Sequence, residues 1–536
     1  MSNLAATQPA HIRELLRAFT NELNALTDEF EAAVEEALQP PVEAPPAWQH
    51  QDIDVQPAER ASILIVDEVV RDELPDTVFG FNLRHISVQN DLFKDGAFHA
   101  RSLEFLKAFP GALYRYPGGL MSNHFWWQRA VGQNQNRLPQ ATTKAAGGEV
   151  RTVLFGPDEF MSVVEQTGGE PVYVLNLLGY HETDSLHELS AEEMADSNAN
   201  LAQRLKGDVK LYQLGNELDR AEYQWPHDKY IKRARATMDA VLDVDPEARF
   251  IAFLRDFDWQ YRGDAGTGKS RYQDFIGDVL DGLPEVTDFS MQFYYDDPGM
   301  EDVQTKNLTW RLRQYQRAMQ AASEQRDGNA LNVWITEHAR GINLGAGKPT
   351  KDRGPLTSNQ QGAISTADFL ISLAQLPSVQ GAALWGANAT PWELFDAHHE
   401  HNDLRPRPTY WALRVLRDLK LPVVLRTRTE SPNASGYAGG YDVRAVAFRD
   451  SCGEQLGLWA VNRSASEQPV AVTYAPFARR AVTVRHAFAA GRAGVDTDVT
   501  AQSVELEPQE SQQTFSALGV IELRLPPSSV SSFRFG

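Results

Sequence analysis

The chain is nearly without cysteine, without long apolar runs, and short of positive charge. Cys452 is the single cysteine in 536 residues, so no intrachain disulfide can form and a disulfide-stapled extracellular scaffold is excluded. It follows Arg449-Asp450-Ser451 and precedes Gly453, a turn sequence that reads as an incidental thiol. No run approaches the ~18 apolar residues of a membrane helix. Met1–His11 also lacks the basic start and apolar core of a signal peptide. The expectation is a cytoplasmic protein. Lys and Arg number 51 against 72 Asp and Glu, for a net charge of −21. Such a surface repels nucleic acid and anionic membranes, and neither is expected as a partner. No Gly-rich dinucleotide fingerprint follows a strand, and nothing calls for a metal or an organic cofactor. His398-His399-Glu400-His401 has metal-binding residue types, but consecutive side chains rarely converge on one ion, so it reads as a polar loop.

What is present is ordinary globular composition, 42% hydrophobic and 23% charged, enough for two domains. Ile12, Leu16, Phe19, Leu23, Leu26, Phe30, Ala33 and Ala37 recur at alternating spacings of four and three over 12–38. That pattern predicts an amphipathic helix. Pro40-Pro41 ends it, and a Pro-rich linker fills 41–60. Residues 61–76 hold a β-branched strand, Ser62–Val70, which needs a sheet to join. From 77 to 420 eight apolar strands alternate with amphipathic helical stretches. The strands are Phe79–Ile86, Ala112–Tyr116, Pro171–Leu178, Val209–Leu214, Phe250–Leu254, Phe289–Tyr295, Asn332–Thr336 and Gly381–Trp385. The alternation predicts a (β/α)8 TIM barrel of α/β class. Over 421–536 short strands separated by turn residues predict a C-terminal antiparallel β-sandwich.

Two strand ends carry a carboxylate where an apolar strand gives no reason for one. Leu211–Asp219 runs through Gly215 and Asn216 into Glu217, and Asn332–Arg340 places Glu337 after another apolar strand. Burial disfavours the charged form of such a group, so the site must need it. Two strand-end carboxylates on a barrel are the parts of a glycoside hydrolase.

From Arg115-Tyr116-Pro117-Gly118-Gly119 onward the chain resembles the clan A glycoside hydrolases, and most of all the family 51 α-L-arabinofuranosidases. The similarity continues through Trp127 and Gly132, Phe155–Phe160, Gly169-Glu170-Pro171 and Gly215-Asn216-Glu217-Leu218-Asp219. It runs on through Val244-Asp245-Pro246, Tyr294-Tyr295, Glu337, Arg407–Leu416 and Ala460–Ser464. The resemblance implies that Glu217 is the general acid/base and Glu337 the nucleophile of a retaining, exo-acting enzyme. The substrate it implies is an α-L-arabinofuranoside or a related oligosaccharide. Arg115 is expected to keep Glu337 ionised and Tyr294 or Tyr295 to donate to it, and the substrate-binding residues are expected to be these three with Asn216, Arg84, His85, Trp127, Asn176, His338 and Trp385. Family relatives often form homo-oligomers. The alternatives are a clan A hydrolase of a β-glucuronide, β-xyloside or β-glucan, or a carbohydrate-binding protein without activity.

The chain departs from the family at four places. Arg84 stands where the family has Glu, Leu120 where it has Asn, Gln292 where it has His, and His338-Ala339 where it has Trp-Asn. Arg84 suggests a substrate carboxylate, with a structural ion pair as the alternative.

The helix at 12–38 is read as docked on its own protein, with self-association as the alternative. Deleting residues 1–40 is therefore expected to leave the oligomeric state unchanged. Light scattering checks this, and loss of an oligomer would favour self-association.

Overall fold

The computed structural model describes residues 53–86, 92–94, 96–142, 149–182, 185–218, 225–254, 271–296, 307–326, 331–341, 357–389, 392–396, 404–491 and 503–536. The helix expected over 12–38, its linker up to residue 52 and the His398–His401 loop lie outside them. No helix among the described residues is long and apolar enough to cross a membrane.

Eight strands close a parallel barrel in chain order: Gly80–Asn82, Leu113–Tyr116, Glu170–Leu175, Leu211–Leu214, Arg249–Phe253, Asp288–Tyr295, Asn332–Arg340 and Val379–Leu384. Each is buried on both faces, which is why the strands read as apolar runs with little alternation. Most bounds shift from the sequence expectation by one to four residues, and two of the shifts bear on the site. The first strand stops at Asn82, so Arg84 and His85 lie beyond it. The seventh runs on past Thr336 to Arg340.

Strand alternation sorts side chains between the barrel axis and the surrounding helices. Leu113, Val172, Leu211, Ile251, Trp334 and Ala383 form an apolar floor inside the barrel. Two residues further along their strands, Arg115 and Gln213 begin a polar layer above it, hydrogen-bonded to each other. The helices pack outside. Helix Ala191–Leu205 opens with a reciprocal cap: the Ser190 hydroxyl accepts from Glu193 N–H, and the Glu193 carboxylate accepts from Ser190 N–H. Helix Gln360–Ala374 is buried nearly all round, because it lies between the barrel and the C-terminal sheet.

That sheet orders its main strands as Ser503–Thr514, Ala481–Ala490, Ser529–Phe535, Leu456–Asn462, Val443–Arg449, Val423–Ser431, Ala61–Arg71, Gln468–Thr473 and Val520–Leu525. It encloses a second core that includes Ile63, Leu425, Leu458, Val472 and Phe533. Ala61–Arg71 pairs antiparallel with Val423–Ser431 and parallel with Gln468–Thr473.

Val423–Ser431 was not among the strands expected from sequence. The reason is its inward face, where Thr427, Thr429 and Ser431 are buried in place of apolar residues. Their hydroxyls accept from the N–H groups of Ala447, Ala445 and Val443. Arg407 is buried and paired with Glu393.

Barrel and sheet are joined by buried charges. Asp296, at the end of the sixth strand, accepts from Ser365 at 2.7 Å, Tyr437 at 2.6 Å and Arg463 at 3.0 Å. Asp368 accepts from Tyr441 at 2.8 Å and from Arg463 at 3.0 and 2.7 Å, with Arg444 3.4 Å away. Removing one member of such a network strands the other buried charges. Asp368→Asn is therefore expected to lower stability by about 3–5 kcal/mol. Glu467→Gln, which breaks the exposed pair with Arg524, should cost less than about 1 kcal/mol. Thermal unfolding of the two variants checks the contrast.

Candidate active site

The polar layer converges on Arg115, which is fully buried. Its Nε donates to Gln213 Oε1 at 2.7 Å and its Nη2 to Asn216 Oδ1 at 2.5 Å. Its Nη1 donates to Asn82 Oδ1 at 2.7 Å and to Glu337 Oε1 at 3.0 Å. Gln213 also donates to Gly215 O at 2.8 Å, and Asn82 to Thr336 O at 2.8 Å. Asn82 and Gln213 were not singled out from the sequence. The available signal was a polar residue at an inward position of an otherwise apolar strand.

Glu337 is buried, with Arg115 on one carboxylate oxygen and the Tyr294 hydroxyl donating to the other at 2.8 Å. A bulge aims it there. Ser290 pairs with Trp334 and Met291 with Ile335, but Gln292 then pairs with Glu337. Thr336 is the extra residue, and it reverses the alternation beyond it. Glu337 therefore faces the axis beside Tyr294 and Gln292. Burial pushes the Glu337 carboxyl upward, and the charge of Glu217 adds to that, while Arg115 and the Tyr294 hydrogen bond oppose it.

Glu217 sits just past the fourth strand. Gly215 has φ +72° and Glu217 φ +48°. A left-handed non-glycine residue is a strained conformation of the kind found at functional sites. Asn123 clamps the turn: its Oδ1 accepts from Asn216 N at 3.0 Å, and its Nδ2 donates to Asn216 O at 2.6 Å. Gln292 Nε2 donates to Asn216 Oδ1 at 3.0 Å. That leaves Asn216 Nδ2 and Gln292 Oε1 buried and without partners among the described residues, a donor and an acceptor for a sugar hydroxyl.

One wall is aromatic. Tyr294 and Trp392 ring centroids are 5.6 Å apart, and those of Trp392 and Trp385 are 6.4 Å apart. The Arg84 guanidinium lies 5.1 Å from the Trp385 ring centroid. Gly119, at φ +74°, lets Trp385 approach: a Cβ there would stand 2.4 Å from the indole.

Five expected sugar contacts lie elsewhere. Tyr295 and His338 face outward because of the alternation and the bulge. They bond each other at 3.1 Å and pack on Phe369. Burial pushes His338 down to about 3, so it is neutral. The Asn176 side chain is consumed by its own turn, accepting from Leu178 and Gly179 N–H and donating to Gly179 O and Phe125 O. Trp127 donates to Ser197 on helix Ala191–Leu205. His85 is buried with its ring 4.9 Å from that of Phe125.

No protein-family model matches the chain. An intracellular exo-α-(1→5)-L-arabinofuranosidase of Streptomyces lividans is 25% identical over 206 residues, 36% of this chain and 29% of the relative. A probable α-L-arabinofuranosidase C of Aspergillus fumigatus is 30% identical over 187 residues, 32% of this chain and 36% of the relative. The chain is similar to the α-L-arabinofuranosidases. The matched part spans less than half the length of either curated relative.

Solved structures agree in fold. An α-L-arabinofuranosidase from Thermotoga maritima in complex with arabinose superposes with TM-score 0.67 at 17% identity, covering 88% of this chain and 99% of its own. A family 51 α-L-arabinofuranosidase from Bifidobacterium longum gives 0.67 at 16%, covering 89% and 99%. A bifunctional glucanase-xylanase from a metagenome library gives 0.57 at 14%, also covering 89% and 99%.

The Tyr294 hydrogen bond favours ionised Glu337. Tyr294→Phe is therefore expected to move the titration of Glu337 to higher pH. Carbon-13 NMR of carboxyl-labelled glutamate checks the direction, and an unchanged midpoint would refute it.

Proposed function

We propose that the protein is a retaining glycoside hydrolase, exo-acting on α-L-arabinofuranosides or related oligosaccharides in the cytoplasm. The observation that carries this reading is the Glu337 carboxylate held between Arg115 and Tyr294 at 3.0 and 2.8 Å. Glu217 lies near enough for its charge to act on Glu337, Arg115 and Tyr294. The names of the relatives support the arabinofuranoside, and three of them are called intracellular.

In the first step a Glu337 oxygen attacks the anomeric carbon. The bond from that carbon to the leaving oxygen breaks, and Glu217 supplies the proton that oxygen needs. The product is a glycosyl ester on Glu337. In the second step Glu217 takes a proton from water, the water oxygen bonds to the anomeric carbon, and the Glu337 ester bond breaks. Two inversions leave the configuration unchanged. Arg115 neutralises the nucleophile in the resting state and receives it again as leaving group. Asn216 Nδ2 is placed to donate to the sugar's 2-hydroxyl, a contact that strengthens as the oxocarbenium-like transition state forms. A protein that only bound carbohydrate would have no use for a buried carboxylate supported by Arg115 and Tyr294 beside a second one.

Nitrophenyl glycosides of arabinofuranose, xylose, glucose and glucuronic acid test the reading. Glu337→Ala is expected to lower kcat by about 10,000-fold or more on any of them that is cleaved. Glu217→Ala should lose about 100- to 10,000-fold on a natural disaccharide and much less on a dinitrophenyl glycoside, whose leaving group needs no proton. NMR of the first-formed sugar should show the anomer of the substrate. Inverted product, or full activity in Glu337→Ala, overturns the mechanism.

A further inference from the structure

We propose that Arg84 forms a carboxylate-binding subsite beside the reacting pair, so that the oligosaccharide bound there carries a uronic acid. The inference takes its location from the reading of Glu217 and Glu337 as the reacting pair, and it names the substrate class for that site.

The positive charges of the site are unequally occupied. Arg115 has four side-chain acceptors around it, and Glu337 already has one partner on each oxygen. Arg84 has none of this. Among the described residues no carboxylate pairs with it and no acceptor takes a hydrogen bond from it. Its recorded contact is the face of Trp385. The structural ion pair that would have explained the residue is therefore absent there. Burial lowers its proton affinity, and the charges of Glu337 and Tyr294 act against that, so the group sits within the field of the nucleophile.

Arg84 is half-buried, and with no protein acceptor among the described residues its N–H groups are left to water. A planar anion replaces that water favourably, because the five N–H donors form a fork that fits a carboxylate with two parallel bonds. The surroundings suit a sugar carrying that anion. Trp385 holds the guanidinium in place by its ring face, and Trp385, Trp392 and Tyr294 offer flat surface to a sugar ring. The charge of Glu337 reaches Arg84, so the carboxylate subsite and the nucleophile are neighbours. A wholly neutral oligosaccharide would leave Arg84 without a protein or ligand acceptor. A uronic acid would satisfy it and would be drawn into a protein whose net charge of −21 otherwise repels acidic ligands.

A different role is electrostatic support of Glu337 alone, which would affect acidic and neutral sugars alike. Calorimetric titration of the full chain with D-glucuronate and D-galacturonate, against glucose, galactose and L-arabinose, separates the two. The uronates are expected to bind about 10- to 100-fold tighter than their neutral counterparts, the range of a charged hydrogen bond. In Arg84→Gln, and in Arg84→Met as a second variant, the ratio of acidic to neutral affinity should fall to near one. Circular dichroism confirms that each variant is folded. Equal affinity for acidic and neutral sugars, undetectable uronate binding, or a preference that survives both substitutions overturns the proposal. The nitrophenyl panel is a separate readout. Absence of turnover on every glycoside refutes the hydrolase reading, while the binding ratio still decides the subsite.

Discussion

A guanidinium buried without water must find acceptors for its N–H groups, and the interior of the barrel is arranged around one that does. Arg115 is fully enclosed, and its position requires Gln213, Asn82, Asn216 and Glu337 to be where they are. Those acceptors come from three strand ends and Arg115 itself from another, so one side chain ties the first, second, fourth and seventh strands together above the apolar floor. The partners are themselves fixed. Asn82 holds the carbonyl of Thr336 at the bulge, Gln213 holds the carbonyl of Gly215, and Asn123 clamps the backbone of Asn216. The carboxylate that Arg115 faces is thereby rigid before any ligand arrives, which is the condition for electrostatic preorganisation.

The parts of this arrangement that sequence discloses are those written in residue type. Buried parallel strands are apolar, so eight of them were visible, and a glutamate ending such a strand stands out at Glu217 and at Glu337. Arg115 was visible through the motif around it. What sequence conceals is direction. Tyr294 and Tyr295 are adjacent and chemically identical, and only the strand's alternation gives Tyr294 to Glu337 and Tyr295 to His338. Thr336 looks like any strand residue, yet as a bulge it decides that Glu337 turns inward and His338 outward. The strand Val423–Ser431 escaped notice for the complementary reason. Its inward residues are hydroxyls that bond backbone N–H groups, so its pattern of burial is not a pattern of hydrophobicity.

Under the proposed function the site divides into a part that would handle bond cleavage and a part that would read the ligand. Arg115, Asn216, Tyr294 and Glu337 form the first, with Glu217 beside them, and they match the family's motif. Arg84, Leu120 and Gln292 are among the departures. Gln292 and Arg84 both bear on the same pocket, the first through Asn216 and the second through Trp385. Conserving the first part while changing the second alters which sugar is bound without altering how its bond is broken, since fold and chemistry set few demands on the reading residues.

The C-terminal sheet belongs to this argument, because it stiffens the rim from which the reacting groups project. Tyr294, Tyr295 and Asp296 are consecutive, and each binds a different layer: the nucleophile, the outward His338, and Arg463 with Tyr437 from the sheet. Arg340, three residues past Glu337, donates to the carbonyl of Asp296 at 3.0 Å, and the Arg340 carbonyl accepts from Trp392 at 2.9 Å. The ends of the sixth and seventh strands are thus joined to each other, to the aromatic wall and to the sheet. A displacement of Asp296 would carry Tyr294 with it, and the hydrogen bond to Glu337 tolerates only a few tenths of an ångström. Asp296 takes a left-handed backbone at φ +49°, which costs about 1–3 kcal/mol for a residue other than glycine. The surrounding ion pairs hold it there. The buried charges between barrel and sheet therefore serve the geometry of the nucleophile as well as the docking of two domains.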